Sequence, residues 1–144
     1  MRTALVVLAV GLSLAVPAAN AESGADSSTE LVQAGIAAYR DEGAAAAIRA
    51  WVKGGALEGD TNVLSQANML RQIEDFYGAV KDGDIVREVT ISARSRIVYF
   101  AINYDNGVSF ARLQTYRRHD GGWVATSFFI HTEAAQVFPA SMLH

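Results

Sequence analysis

Hydrophobic and polar residues follow two different periods along this chain, and the change of period separates a helical part from a strand part. Between residues 29 and 80 the apolar positions recur every three or four residues, which is typical of amphipathic helices. From residue 85 to residue 132 they recur every second residue and are interrupted by short polar turns, which is typical of antiparallel strands. The pattern predicts an α+β domain in which three N-terminal helices pack on a curved four-stranded antiparallel meander.

The helix boundaries are predicted from residues that stabilise helix ends. Ser27-Ser28-Thr29-Glu30 has the form of a capping box, in which the serine and the glutamate satisfy free backbone N–H groups. Gly43 is expected to end this first helix. Two further helices are predicted, from Ala44 to Lys53 and from a cap at Asp60 or Thr61 to Val80, before the polar run Lys81-Asp82-Gly83-Asp84.

One turn is expected to set the register of the sheet. In Asp105-Asn106-Gly107-Val108 the central Asn-Gly favours the positive φ angles of a tight hairpin turn. Pairing Asp105 with Val108 places Ile102 opposite Ala111, and opposed residues share a face. If the two outer turns hold an even number of residues, the same sorting extends to all four strands, whereas an odd-length loop would turn an edge strand over.

The predicted register sorts the strand residues onto an inner face and an outer face. The inner face is apolar and is expected to be the core covered by the helices: Val89, Ile91, Val98, Phe100, Ile102, Ala111, Leu113, Val124, Phe128 and Ile130. The outer face mixes large apolar and polar residues, including Thr90, Ile97, Ala101, Ala125 and Ser127, which is typical of a surface partly covered by another subunit. The candidate interface residues are Glu88, Tyr99, Phe110, Arg112, Gln114, Tyr116 and Phe129.

Two side-chain pairs are also expected from this register. Glu88 and Arg112 would lie in one row on the outer face, separated by the small Ala101, and would form an ion pair or part of an interface. Arg118 would lie opposite Trp123 and stack on its ring.

The N-terminal residues are predicted to be an export signal rather than part of the fold. Arg2 precedes an apolar run from Ala4 to Val16, and Ala19-Asn20-Ala21 has the small-residue pattern of a cleavage site before Glu22. The run is shorter than the roughly 20 residues that a membrane-spanning helix needs. We therefore expect a periplasmic or secreted protein, not inserted in the membrane after cleavage, with three parts: a signal peptide at 1–21, a flexible lead-in at 22–28 and a single domain at 29–144.

Composition narrows the classes of partner. The chain carries 15 acidic and 12 basic residues and a net charge of −3 without a basic run, which argues against binding of nucleic acid or of an anionic membrane surface. It has no cysteine, so an exported domain of this sequence must be stabilised by packing rather than by disulfides.

The sequence offers few candidates for chemistry. It has no nucleophile elbow, no phosphate-binding glycine loop and no metalloprotease motif, and we expect no cofactor. His131 and Glu133 would supply only two metal ligands, so no metal site is predicted. The remaining catalytic candidates are Glu74 at the margin of the third helix and Tyr77 as its partner, and the alternative for Glu74 is a solvated helix flank.

Several segments together resemble the nuclear-transport-factor-2-like superfamily, with its cystatin-like cone fold. They are Tyr99 to Gly107, Phe110-Ala111-Arg112, Gly122-Trp123-Val124 and the run into Phe138-Pro139. The resemblance implies a trimmed version of that fold, because no strand is predicted between the second and third helices unless Ala56-Leu57-Glu58 forms one. It also implies a homodimer formed through the sheet and a pocket at the open end of the cone, near Trp51, Phe76, Tyr77, Phe100 and Phe128.

Three functions remain open at this level. The first is a non-catalytic exported domain that forms a homodimer and holds a small apolar ligand. The second is a small enzyme of the isomerase or dehydratase type with a carboxylate in the cavity of the cone. The third is an accessory module whose outer face docks on another envelope protein.

Overall fold

The computed structural model describes residues 25–144, so the predicted signal peptide at 1–21 and the lead-in residues 22–24 lie outside the described part. Within it, three helices precede a curved, unclosed four-stranded antiparallel sheet of order β1-β2-β3-β4, which confirms the predicted α+β class. The elements are α1 (Ser28–Glu42), α2 (Ala44–Val52), α3 (Thr61–Tyr77), β1 (Val80–Thr90), β2 (Ser95–Tyr104), β3 (Val108–Arg117), β4 (Trp123–His131), α4 (Ala134–Val137) and a short 3₁₀ turn (Ala140–Met142).

The helix ends follow the predicted capping residues. The Ser27 hydroxyl accepts a hydrogen bond of 3.1 Å from the backbone N–H of Glu30 at the start of α1. Gly43 ends α1 with a φ of 99°, an angle that favours glycine. Asp60 is the cap of α3, because its carboxylate accepts from the N–H of Asn62 at 2.8 Å.

The end of α3 differs from the prediction. The helix stops at Tyr77, and Gly78 follows with a φ of 90°. Val80 was expected in the apolar stripe of α3, but it is the first residue of β1, and the polar run 81–84 belongs to the same strand. The strand can include this polar run because Lys81, Asp82 and Asp84 are exposed to solvent, and an antiparallel sheet tolerates polar side chains where it is not covered.

The register of the central hairpin is shifted from the predicted one by two residues. Tyr104 donates its N–H to the carbonyl of Gly107, so the turn consists of Asp105-Asn106 rather than Asn106-Gly107. Ile102 therefore pairs with Ser109, and not with Ala111 as expected. Since the shift is by an even number, each residue keeps its predicted face.

Contacts with the end of α3 explain the shifted turn. Asp105 donates its N–H to the carbonyl of Ala79 and accepts from the Ala79 N–H with its carboxylate, both at 3.0 Å. Asn106 donates its N–H to the carbonyl of Tyr77 at 2.8 Å. Gly107 lies directly against the Tyr77 ring, where a Cβ would come within 2.2 Å of a ring carbon. These tertiary contacts outweigh the local preference of Asn-Gly for a tight turn.

Both edge strands depart from the predicted sorting near their loops. The β1–β2 connection forms a loop of odd length at 92–94, and it turns the neighbouring part of β1 over. Glu88, predicted on the outer face, pairs with Val98 on the inner face. Val89, predicted on the inner face, pairs with Ile97 on the outer face. A register shift at residue 86 then restores the predicted sorting at the start of β1.

The beginning of β4 is turned over for the same reason. The β3–β4 connection at 119–121 is also of odd length, so Ala125 lies on the inner face and Val124 pairs with a residue of the outer face. A bulge at Thr126 corrects the sorting, and Phe128 lies on the inner face as predicted. The expected stacking of Arg118 on Trp123 is replaced by Arg96, whose guanidinium lies 5.2 Å from the Trp123 ring.

The core lies between the inner face and the helices. Trp51 of α2 is 1 % exposed and packs against Phe100 and Phe128, with ring centroids 5.8 and 6.0 Å away. The central strands confirm the predicted inner face, because the following residues are all at most 1 % exposed: Val98, Phe100, Ile102, Ala111 and Leu113. Ile91, predicted to belong to this core, is 60 % exposed because the odd-length loop that follows it turns this end of β1 over.

Candidate functional site

The five residues of the predicted pocket are divided between two places. Trp51, Phe100 and Phe128 pack against one another in the core between the helices and the inner face of the sheet. Phe76 and Tyr77 lie together at the C-terminal end of α3, with ring centroids 5.0 Å apart, and Phe76 is 79 % exposed. None of the three cavities described below is lined by both groups. Trp51 occupies the space between α1, α2 and the inner face of the sheet.

The catalytic candidates also lie at the end of α3. Tyr77 lines a cavity of about 320 Å³ between α3 and Thr132, but Glu74 is not among the residues that line it. Glu74 is half-buried, and burial followed by the charge of Asp75 raises the pKa of its carboxyl group. The structure thus gives Glu74 a perturbed pKa but does not place it with Tyr77 in one cavity.

Three buried hydroxyl groups form a chain beside Glu74. Tyr39 donates to the carbonyl of Leu70, Tyr104 donates to the Tyr39 hydroxyl at 3.4 Å, and Ser109 lies 3.0 Å from the Tyr104 hydroxyl. Burial raises the pKa of both tyrosines, so they stay neutral. Since every hydroxyl has a partner, the chain is a satisfied polar element of the core, where α1, α3 and the central hairpin meet.

Part of the outer face is covered by the C-terminal segment of the chain itself. Phe138 packs edge-on against Tyr99 and Phe110, with ring centroids 5.8 and 5.4 Å away. Arg112 donates from its guanidinium to the carbonyl of Val137 at 3.0 Å. Three of the candidate interface residues therefore contact residues 137–138, which accounts for the aromatic character of this part of the face.

A narrower strip of the outer face remains uncovered. Phe129 is 37 % exposed, and the Arg112 guanidinium lies 4.8 Å from its ring. Gln114 and Ser127 pair across the strands and are both exposed, and Tyr116 is half-buried beside them. We call these residues of β3 and β4 the outer strip.

Glu88 does not belong to this face and makes no contact with Arg112. On the inner face its carboxylate accepts from the buried Ser28 hydroxyl at 2.6 Å and forms an ion pair of 2.8 Å with Arg96. Glu88 therefore ties the start of α1 to β1 and β2. The predicted ion pair across Ala101 is wrong because the odd-length loop turns this part of β1 over.

A groove in the helical layer has a volume of about 650 Å³. We call it the α2–α3 groove. One stripe of α2 forms its wall, because Ala46, Arg49 and Ala50 follow helical spacing, and Lys53 follows directly after the helix. The opposite side and the floor are lined by Ala38, Val52, Leu57, Val63 and Leu64. The groove exists because alanines occupy positions where larger side chains would fill the space between the helices.

Charged side chains of both signs surround this apolar groove. The carboxylate of Glu58 accepts from the backbone N–H of Gly54 at 2.7 Å, and that of Asp60 caps α3. Arg49 and Lys53 are exposed at the rim, and neither has an ion-pair partner among residues 25–144. Glu42 also lines the groove, so the two cations at the rim stand beside three carboxylates, Glu42, Glu58 and Asp60.

Sequence reasoning did not find the α2–α3 groove. The signal was present in Ala44 to Lys53, where the side of α2 opposite Trp51 carries alanines between two basic residues. Such a stripe is also ordinary helix sequence, so only the position of α3 and of the 57–60 loop shows that it faces a cavity.

Other kinds of site are not formed within the described part of the chain. Residues 25–144 bring together no group of three acidic or histidine side chains that could hold a metal ion. The ring nitrogen Nδ1 of His131 accepts from the N–H of Glu133 at 2.9 Å, and the ring stacks on Phe129. None of the helices in this part is both long and apolar enough to cross a membrane.

No protein-family model, curated protein or solved structure matches this chain.

Proposed function

We propose that this protein is a non-catalytic binding domain that holds a small ligand with an apolar body and one anionic group in the α2–α3 groove. The observation that supports this most directly is the groove itself, whose volume of about 650 Å³ falls within the usual range for small-molecule sites. The apolar body would lie along Ala46 and Ala50, and the anionic group would lie between Arg49 and Lys53.

An enzyme of the isomerase or dehydratase type has less support. Glu74, the carboxylate whose pKa is raised by burial, lies outside the groove. Proton transfer requires a base within hydrogen-bond reach of a bound substrate, and the geometry does not offer that arrangement.

Binding of dodecanoate tests the proposal, with the fluorescence of a displaced anionic naphthalene dye as the readout. Lys53→Glu should weaken dodecanoate binding by about tenfold to a hundredfold, since a charge-assisted hydrogen bond contributes roughly 1.5–3 kcal/mol. The same substitution should leave dodecanol binding nearly unchanged, because the alcohol carries no charge. Arg71→Glu is the matched control, since Arg71 is exposed on α3 and does not line the groove.

A second pair of variants separates the groove from the surface around it. Ala50→Phe should abolish binding of both dodecanoate and dodecanol by filling the groove, whereas Ala34→Phe, on an exposed position of α1, should have no effect. If Ala50→Phe binds both compounds as well as the unmodified protein does, the ligand site is not in the groove.

We also propose that the outer strip mediates self-association. Exposed Phe129, stacked under Arg112 and bordered by polar Gln114 and Ser127, has the mixture of aromatic, arginine and neutral polar residues that is typical of protein interfaces. The resemblance of the sequence to nuclear-transport-factor-2-like proteins also supports self-association through the sheet. Export to the periplasm or the medium, supported by the pattern of residues 1–21, is also a proposal.

Sedimentation velocity tests self-association. In a twofold-symmetric dimer, Gln114→Glu would place like charges near each other, so it should shift the protein toward monomer. Gln33→Glu, exposed on α1, is the matched control. Arg112 is unsuitable for this test because it also holds the C-terminal segment. A monomer at every concentration would contradict the proposal and favour docking on another envelope protein.

A further inference from the structure

The three carboxylates of the α2–α3 groove differ in what they already bind. Glu58 accepts from the backbone N–H of Gly54 at 2.7 Å, and Asp60 accepts from that of Asn62 at 2.8 Å. The side chain of Glu42 is exposed and forms no ion pair with any cation among residues 25–144. One of the negative charges that line the groove is therefore not engaged by the fold.

The position of Glu42 in α1 does not explain its charge either. Glu42 is the last residue of α1, where the helix dipole carries partial negative charge, so a carboxylate is unfavourable there. The nearby Arg40 pairs with Asp41 at 2.8 Å instead. The charge of Glu42 therefore remains available to a cationic group that enters the groove.

Glu42 and Lys53 lie at opposite ends of the groove. The two helices that carry them are antiparallel, because Gly43 joins them and the ring nitrogen of Trp51, near the end of α2, donates to the carbonyl of Val32 in the first half of α1. The end of α1 thus lies beside the beginning of α2, whereas Lys53 directly follows the end of α2.

The length of α2 gives the distance between these charges. In the proposed binding mode the anionic group lies between Arg49 and Lys53, at the level of residue 51, and Glu42 is nine residues earlier in the chain. At about 1.5 Å per residue, this separation is roughly 13 Å along the helix. An extended chain of twelve carbon atoms also spans roughly 13 Å, at about 1.2 Å per bond. Its far end would therefore reach Glu42 after passing Ala46 and Ala50.

The other direction from the anionic site leads to no charge. A second cavity, of about 200 Å³, adjoins the groove, because Leu57 and Val63 line both. Its remaining lining is neutral and includes Gln66 of α3 and Phe128 of β4. A ligand that follows α2 brings its far end to a carboxylate, whereas a ligand that enters the second cavity meets only uncharged side chains.

We infer that the ligand of the α2–α3 groove is a zwitterionic amphiphile, with its anionic group at Arg49 and Lys53 and an ammonium group at Glu42. This inference rests on the proposed function, because it adds a cationic group to the ligand already assigned to the groove. The ammonium would donate charge-assisted hydrogen bonds to the Glu42 carboxylate. The apolar body between the two charged groups would lie on the alanines of α2.

Isothermal titration calorimetry tests the inference with three compounds that share a chain of twelve carbon atoms: dodecanoate, 12-aminododecanoate and dodecanedioate. The last two carry a charge at the far end, of opposite sign. The unmodified protein should bind 12-aminododecanoate about fivefold more tightly than dodecanedioate, because Glu42 attracts one and repels the other, and an exposed charge pair has a modest effect.

Charge reversal at Glu42 gives the decisive comparison. Glu42→Lys should reverse the preference, so that dodecanedioate binds about fivefold more tightly than 12-aminododecanoate. The substitution should not harm the fold, since the side chain is exposed and a cation at a helix C-terminus is favourable. Glu133→Lys, exposed and outside the groove, is the matched control and should keep the original preference.

Dodecanoate separates a failure of this inference from a failure of the proposed function. If dodecanoate binds and Lys53→Glu weakens it, but Glu42→Lys leaves the preference between the other two compounds unchanged, the anionic site stands and the zwitterionic ligand is overturned. Equal binding of 12-aminododecanoate and dodecanedioate to the unmodified protein would also overturn the zwitterionic ligand. If none of the three compounds binds, both the inference and the proposed function are overturned.

Discussion

The contact between Gly35 and Trp51 gives the sharpest test of how the helices are held on the sheet. Gly35 lies inside α1, where a Cβ would come within 1.9 Å of the Trp51 ring nitrogen and 2.2 Å of a neighbouring ring carbon. Ordinary contacts of a methyl group with a ring are roughly 3.5–4 Å. Gly35→Ala therefore requires α1 or the indole to move by more than an ångström, although Trp51 is 1 % exposed and packed on Phe100.

The expected cost follows from the separate contributions. Forcing an extra methyl group into a packed core costs typically about 1–3 kcal/mol. Displacing the indole also weakens its hydrogen bond of 3.3 Å to the Val32 carbonyl, which contributes about 1 kcal/mol. Alanine favours a helix over glycine by about 1 kcal/mol, which offsets part of the cost. We expect Gly35→Ala to lower the free energy of unfolding by about 1–3 kcal/mol, a large fraction of the total for a domain of this size.

Urea unfolding monitored by circular dichroism measures this change, and two further variants make it specific. In a Trp51→Leu background the ring is absent, so Gly35→Ala should become neutral or stabilising, and the double-mutant cycle should give a coupling above 1 kcal/mol. Ala34→Gly, on an exposed position of the same helix, measures the propensity contribution with the opposite sign. A stabilising Gly35→Ala in the presence of Trp51 would refute the close contact of α1 with the indole.

Three further substitutions test other parts of the structure by the same unfolding measurement. Tyr39→Phe should lower the free energy of unfolding by about 1–3 kcal/mol, because it breaks the buried hydroxyl chain. Tyr116→Phe should be nearly neutral, because the Tyr116 hydroxyl has no partner among residues 25–144. Equal effects of the two substitutions would contradict the hydroxyl chain. Gly107→Ala should lower the free energy of unfolding by about 1–3 kcal/mol, because the added Cβ would meet the Tyr77 ring. A neutral result would argue against the shifted hairpin register. Because the pKa of Glu74 is raised, the folded state binds the proton of this carboxyl group more tightly than the unfolded state does. The protonated Glu74 therefore contributes to stability below its ordinary pKa of 4.5. This contribution is lost as the pH rises through the folded pKa. Glu74→Gln should accordingly stabilise the protein at about pH 7 and have little effect at about pH 3, and a destabilised variant at neutral pH would show that the ionised carboxylate is favourable.

The sequence predicted the elements whose causes are local. Ser27, Gly43 and Asp60 act at helix ends through hydrogen bonds and angles that depend only on nearby residues, and the structure shows each of them there. The alternation in β2 and β3 also predicted the inner face correctly, because both strands are central and their pattern is not interrupted by a bulge.

The predictions that depended on exact loop geometry were wrong. Each outer loop holds an odd number of residues. As a result, Glu88 pairs with a residue of the inner face, and Val124 pairs with a residue of the outer face. The bulges that correct the sorting farther along, at Thr126 for example, have no distinct sequence signal. The α2–α3 groove was missed because a stripe of alanines on a helix does not reveal what packs opposite to it.

The position of Trp51 connects these observations to the choice of function. In a cone whose centre is open, the sheet and helices would enclose the ligand, but here the indole lies between Phe100 and Phe128, and Gly35 allows α1 to close directly over it. Hydroxyl groups that could have faced a cavity are instead paired with one another in the core beside it. A domain whose interior is filled in this way must bind at its surfaces, where α2 and α3 form a groove of about 650 Å³. For this reason we expect substitutions at Trp51 to affect stability, and substitutions at Ala50 and Lys53 to affect binding.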